Sequence, residues 1–272
     1  FNRLLNSHII FSLFCQLLIL NRRPRASMDA ALDWDWRRWI ASKSRASIGR
    51  AVASTQLMEQ TQKPGQIIIL NGVPRSGKSS VVTAIQEMFD GLWMNLGVET
   101  FMQATPERYL PGIGLRPGGE LQDIELFVPV LYRAMYESIA AHSRLGLNVV
   151  VDVGHHDAYA IGRAILFDCA KRLSGLPVLF AGVCCPIEIV MERRRNTGRM
   201  PESSVDSPVP PPVRLWQHEV HIPGIYDLEI DTSTSSPSEC SQMIRQHLEY
   251  GPAPSASERL ATMTSQQDRA EQ

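Results

Sequence analysis

The sequence predicts an α/β fold built on a parallel sheet. Three observations carry this expectation: short apolar runs of strand length, amphipathic stretches between them long enough to act as crossover helices, and a glycine-rich loop between the first run and the first helix.

The first run is Gln66-Ile67-Ile68-Ile69-Leu70-Asn71, whose length, branching and unbroken apolar character fit a strand buried on both faces. A helix is expected next, over Ser80 to Phe89. The segment Asn95-Leu96-Gly97-Val98-Glu99-Thr100 reads as a short second strand with its carboxylate at the tip. Apolar residues at helical spacing then run from Phe127 to Leu145, followed by the strand Leu147-Asn148-Val149-Val150-Val151-Asp152. A helix over Ala158 to Leu173 leads into the strand Pro177 to Val183. Tyr226-Asp227-Leu228-Glu229-Ile230-Asp231 alternates as an outer, half-buried strand does. Proline, glycine and serine mark Leu110 to Glu120 and Met200 to Pro212 as loops.

Four segments are expected. Residues 65–250 form the core domain, and the polar stretch 251–272 is a disordered tail. Residues 28–64 read as helical, with Leu32, Trp36, Trp39 and Ile40 on one face; a stripe of this kind packs on its own domain or meets a partner. Residues 1–27 read as a non-native or targeting-like extension. Their apolar stretch, Ile9 to Leu20, falls short of the roughly 20 residues that span a bilayer, and Met28 is the natural start.

Composition narrows the function. Hydrophobic residues make up 44% and charged residues 20%, as in a globular protein with a sizeable core. Lys and Arg number 27 against 28 Asp and Glu, so the whole-chain field offers nucleic acid no general attraction, and no basic stripe interleaved with aromatics is visible. Five cysteines, odd in number and irregularly spaced, fit a reducing compartment and hence the cytoplasm.

The strongest motif is Gly72-Val73-Pro74-Arg75-Ser76-Gly77-Lys78-Ser79, a full G-x-x-x-x-G-K-S between a strand and a helix. A chance match in a chain of this length comes to about one in a hundred, before context is counted. Its glycines let successive amides face a phosphate, and Lys78 brings a positive charge to the β and γ groups. Gly72, Arg75, Ser76, Gly77, Lys78, Ser79 and Ser80 are therefore the candidate nucleotide contacts, with Ser79 the candidate magnesium ligand. Asp152 closes a strand of valines. A carboxylate there assists magnesium or caps the next helix. His155 and His156 follow in the same loop and line the cleft.

An acceptor hydroxyl needs a group that positions or deprotonates it, and Glu99 sits where such a group belongs; it is also what the first turn of a helix favours. Arg193, Arg194, Arg195 and Arg199 suit a mobile lid that stabilises phosphoryl charge, the alternative being a solvated basic helix face.

These residues resemble the chloramphenicol phosphotransferase-like family of P-loop kinases. The resemblance covers Gly65 to Leu248 and rests on Ile68 to Ser79, on Gly97-Val98-Glu99-Thr100-Phe101-Met102-Gln103-Ala104, and on Val149 to Asp152. It also takes in Gly182-Val183-Cys184-Cys185 with Glu192-Arg193-Arg194, and His221 through Tyr226-Asp227-Leu228-Glu229-Ile230-Asp231-Thr232. It implies a three-layer nucleotide-kinase-like fold with a five-stranded parallel sheet, and ATP-dependent phosphorylation of a small-molecule hydroxyl. The family's proposed base maps to Glu99, where this chain has Glu in place of Asp. Its lid pattern R-x-R-G-D-R becomes Arg195-Asn196-Thr197-Gly198-Arg199-Met200.

Together these features predict a small-molecule kinase using ATP and Mg2+, with Glu99, Lys78, Arg193, Arg195 and Arg199 catalytic and Ser79 and Asp152 at the metal. Its partner is a small hydroxyl acceptor, chloramphenicol among the candidates, with neither nucleic acid nor membrane and with a homo-oligomer left open. A nucleotide-binding regulatory protein without a soluble acceptor is the alternative.

Overall fold

The computed structural model describes residues 63–110, 122–156, 164–196 and 209–263. Its sheet has five parallel strands in the order β2-β3-β1-β4-β5: β1 Ile67–Asn71, β2 Trp93–Asn95, β3 Asn148–Val153, β4 Val178–Cys184 and β5 Leu228–Asp231. Every residue of β1 is buried, as its unbroken apolar run requires of a central strand flanked on both sides. Ile67 pairs with Val149 on one side and Val178 on the other.

Side-chain alternation divides each strand between two cores. Ile67 and Ile69 of β1, with Val149, Val151 and Val153 of β3, face the helices α3 (Val128–Arg144), α4 (Ile165–Arg172) and α8 (Ala256–Ala261). Ile68, Leu70 and Val150 face α1 (Lys78–Met88) and α7 (Pro237–Tyr250). The result is helix, sheet, helix. The same parity turns Asp152, an even-numbered residue of β3, toward the α1 face, and this is why it meets the first turn of that helix.

The remaining helices are α2 (Val98–Ala104), α5 (Ile187–Asn196) and α6 (Pro211–Glu219). Three expectations are corrected here. Of the strand expected over Asn95 to Thr100, only Asn95 is in the sheet; Gly97 is the N-cap of α2 and Glu99 lies in its first turn. The loop expected to extend to Pro212 ends sooner, because proline is tolerated at the start of a helix, where its missing N–H costs nothing.

The tail is not disordered over residues 251–263. Asp227 Oδ1 accepts from Ser255 N at 2.6 Å and Ala256 N at 2.8 Å, while Oδ2 accepts from Phe180 N at 2.9 Å, so one carboxylate fastens α8 to the sheet. Leu260 is 1% exposed within the core under α4. Replacing it with alanine is expected to cost about 2–5 kcal/mol, as buried leucine truncations do. Urea denaturation checks this; an unchanged midpoint would show that α8 is an ornament. Residues 1–62, including the expected tryptophan helix, lie outside the described residues.

Candidate active site

The phosphate loop leaves β1 at Asn71 and enters α1 at Lys78. Arg75 (φ 73°) and Gly77 (φ 93°) both hold left-handed backbone within it. A positive φ at arginine is strained, and alternation of this kind turns successive amides inward to form an anion nest. Gly72 is required sterically: a Cβ there would lie 2.5 Å from the Val183 carbonyl oxygen.

Lys78 is buried, and its Nζ donates to the carbonyl oxygens of Gly72 at 2.8 Å and Val73 at 2.7 Å. Burial pulls its ammonium down from 10.5 to about 8, against the opposing attraction of Asp152. Ser79 Oγ donates to Asp152 Oδ2 at 2.8 Å, joining two side-chain oxygens from positions 73 residues apart. Ser76 Oγ is buried without a hydrogen-bond partner, an orphaned polar atom of the sort a phosphate oxygen would satisfy. Nest, ammonium and orphaned hydroxyl fit a polyphosphate. The hydroxyl and carboxylate are hard oxygen donors that fit Mg2+.

Arg193 differs from a mobile lid residue. Arg193 Nη1 donates to Arg75 O at 3.4 Å, Cys185 Sγ at 3.4 Å and Thr232 Oγ1 at 3.2 Å, and its Nη2 donates to Thr232 O at 2.6 Å. Thr232 Oγ1 in turn donates to Ser76 O. Arg193 thus braces the outside of the phosphate loop against the turn after β5. Arg194 and Arg195 are half-buried on α5, and Arg199 lies outside the described residues. Glu99 is exposed on α2 and makes no hydrogen bond to Lys78, Ser79 or Asp152. Ser80 is exposed in the first turn of α1, and its amide donates to Gly77 O at 3.1 Å.

Sequence reasoning missed a buried polar network behind the loop. Asn71 Nδ2 donates to Val220 O at 2.8 Å and Tyr226 Oη at 2.9 Å, and Asn71 Oδ1 accepts from His155 N at 2.8 Å. Tyr226 is also hydrogen-bonded to His221 at 2.9 Å, and His155 to Tyr136 at 2.8 Å. The available signal was Asn71 itself, an amide closing an otherwise apolar strand. His155 belongs to this network and His156 packs edge-on against Trp216; among the described residues, no group of three or more His, Cys, Asp or Glu could hold a metal ion.

Burial holds the His155 imidazole down at about 3, with His156 adding to the effect, and burial holds His156 at about 4. Between those values and the ordinary 6.5, the unfolded chain binds protons that the folded chain refuses. Their contribution to stability is therefore full above pH 6.5 and lost as pH falls toward 4 and 3. The urea midpoint is expected to drop steadily below about pH 6.5, less steeply in His155→Gln. Equal slopes in the two proteins would overturn this.

A parallel sheet in this order, with a phosphate loop between its central strand and the following helix, is a P-loop nucleotide-binding fold. The profile of chloramphenicol phosphotransferase-like proteins matches residues 65–249. The chain belongs to that family. It is 28% identical over 211 residues to the Mycobacterium tuberculosis protein named "Putative O-phosphotransferase", in strains H37Rv and CDC 1551, covering 72% of this chain and 88% of the relative.

Among solved structures, the tunicamycin resistance protein of Deinococcus radiodurans is 20% identical at a TM-score of 0.46, covering 68% of this chain and 95% of that one. Shikimate kinase from Acinetobacter baumannii, in complex with shikimate, is 14% identical at a TM-score of 0.47, covering 70% and 97%. No helix among the described residues is long and apolar enough to cross a membrane.

Proposed function

We propose that the protein transfers the γ-phosphoryl group of ATP to a hydroxyl of a small molecule. The observation that carries this reading is the Ser79–Asp152 contact of 2.8 Å beside buried Lys78, which brings a hydroxyl, a carboxylate and an ammonium to the mouth of the phosphate loop. Ser79 and Asp152 would hold Mg2+, which supplies charge neutralisation between the phosphates when bound.

Within this reading the chain's own groups act as follows. The inward amides of the loop and the Lys78 ammonium bind the phosphate oxygens. Arg193, through Arg75 O and Thr232, holds the loop in shape. Glu99 accepts the acceptor's hydroxyl proton as its oxygen bonds to the γ-phosphorus and the bond from that phosphorus to the β,γ-bridging oxygen breaks, releasing ADP. Arg195 and Arg199 supply charge over the transferred group.

The test is ATP consumption by the full chain, against hydroxyl-bearing antibiotics, nucleosides and sugars, beginning with chloramphenicol. Acceptor-dependent turnover is expected, and Glu99→Gln is expected to lower kcat about 100-fold or more while leaving ATP binding unchanged. Nucleotide binding without acceptor-dependent turnover would favour a regulatory protein instead.

A further inference from the structure

Gly97 is glycine for a reason its backbone does not supply. Its φ of −71° and ψ of 175° are open to any residue, so conformational freedom is not what the position demands. Its surroundings are. A Cβ at Gly97 would lie 1.9 Å from Asp152 Oδ1 and 3.1 Å from Asp152 N. The first distance is far inside van der Waals contact for a nonbonded carbon and oxygen, so the Asp152 carboxylate would have to move.

The segment itself cannot retreat easily. Leu96 N donates to Val150 O at 3.2 Å, and Gly97 N donates to Asn95 Oδ1 at 3.0 Å, so the chain is held along β3 as it approaches Asp152. The Asp152 carboxylate is held at Oδ2 by the Ser79 hydroxyl at 2.8 Å, while Oδ1 occupies the space a side chain at position 97 would fill. Two residues beyond Gly97 stands Glu99.

We infer that Gly97 is a positioning residue: by lacking a side chain it lets the Asp152 carboxylate lie against Ser79, and it keys the helix carrying Glu99 to that carboxylate. The inference rests on the metal role proposed for Ser79 and Asp152. It predicts that a single methyl group at position 97 acts as a lesion of Asp152.

The test uses a fluorescent ATP analogue titrated with and without Mg2+ into the full chain and three variants, Gly97→Ala, Asp152→Ala and Gly97→Ala/Asp152→Ala, with thermal unfolding of each. Mg2+ is expected to tighten binding to the unaltered protein. Gly97→Ala and Asp152→Ala should each lose that gain by about tenfold or more, with Mg2+-free binding little changed, as displaced metal-orienting groups do. The double variant should be no worse than Asp152→Ala, because removing the carboxylate vacates the space the methyl needs.

If Asp152→Ala loses the Mg2+ gain and Gly97→Ala keeps it, Gly97 has no such role and the metal reading stands. If Asp152→Ala keeps the gain, the metal reading fails and takes the inference with it. Should Gly97→Ala not fold, the double variant decides: folding with the Tm of Asp152→Ala supports the steric key, and failure to fold overturns it.

Discussion

Lys78→Met is expected to lower kcat/KM about a thousandfold or more while the protein stays folded. The magnitude follows from removing a buried cation from the site proposed for the transferred phosphoryl group, where surrounding protein cannot substitute as water does. Methionine keeps the length of the stem, so the apolar packing survives. The two carbonyls that accept from Nζ, those of Gly72 and Val73, lose a donor. Against that loss stands a relief.

The ammonium is held down at about 8 from 10.5 because burial disfavours its charge, so below pH 8 the folded state carries this penalty in full; the group's contribution to stability improves only as pH rises from 8 to 10.5. The variant is free of that pH-dependent term. Turnover assays with thermal unfolding at neutral pH give both answers: retained turnover would remove Lys78 from the site, and collapse of the fold would make it structural.

Asn71→Leu is expected to cost roughly 3–5 kcal/mol of stability, from orphaning the His155 amide at roughly 1–3 kcal/mol and from removing one hydrogen bond each from the Val220 carbonyl and the Tyr226 hydroxyl, which keep their contact with each other and with His221. The shape is nearly conserved, so the loss is of hydrogen bonding. Denaturant unfolding reads it directly. A cost under about 1 kcal/mol would mean that Val220, Tyr226 and His155 find other partners. Because Asn71 adjoins Gly72, a loosened phosphate loop and weaker nucleotide binding should accompany the instability.

The long strands were legible because burial on both faces writes itself as a continuous apolar run; β1, β3 and β4 start and stop within one or two residues of the segments Gln66–Asn71, Leu147–Asp152 and Pro177–Val183. The edge strand β2 was not. At three residues it is too short to show a period, and the β-branched Val98 and Thr100 beyond it suggest strand, where a helix forms. Lys78 and Ser79 were legible because a phosphate loop is a local motif.

Features made by distant residues left no local mark. Arg193 looked like part of a free basic cluster, yet its partners are a loop carbonyl 118 positions away and Thr232. Likewise, nothing in the polar sequence after Tyr250 announces a helix, because its cap, Asp227, lies 28 positions upstream of Ser255. Gly97 was visible as part of a motif, but its reason, the carboxylate of Asp152, was not.

That Asp227 contact also bears on how the protein is made. Gln66 N must await Asn148 Oδ1, 82 residues later, before the central strand acquires its first neighbour, and the core under α4 is sealed only when Leu260 arrives. A ribosome adding about 5–20 residues each second therefore leaves the core unfinished for roughly ten to forty seconds after β1 is made. During that interval the apolar edge of β1 is open to other chains. Yield in the cell should depend on chaperone supply, and a nascent chain stopped at Tyr250 should be recognised as unfinished even though its entire phosphate loop has been translated.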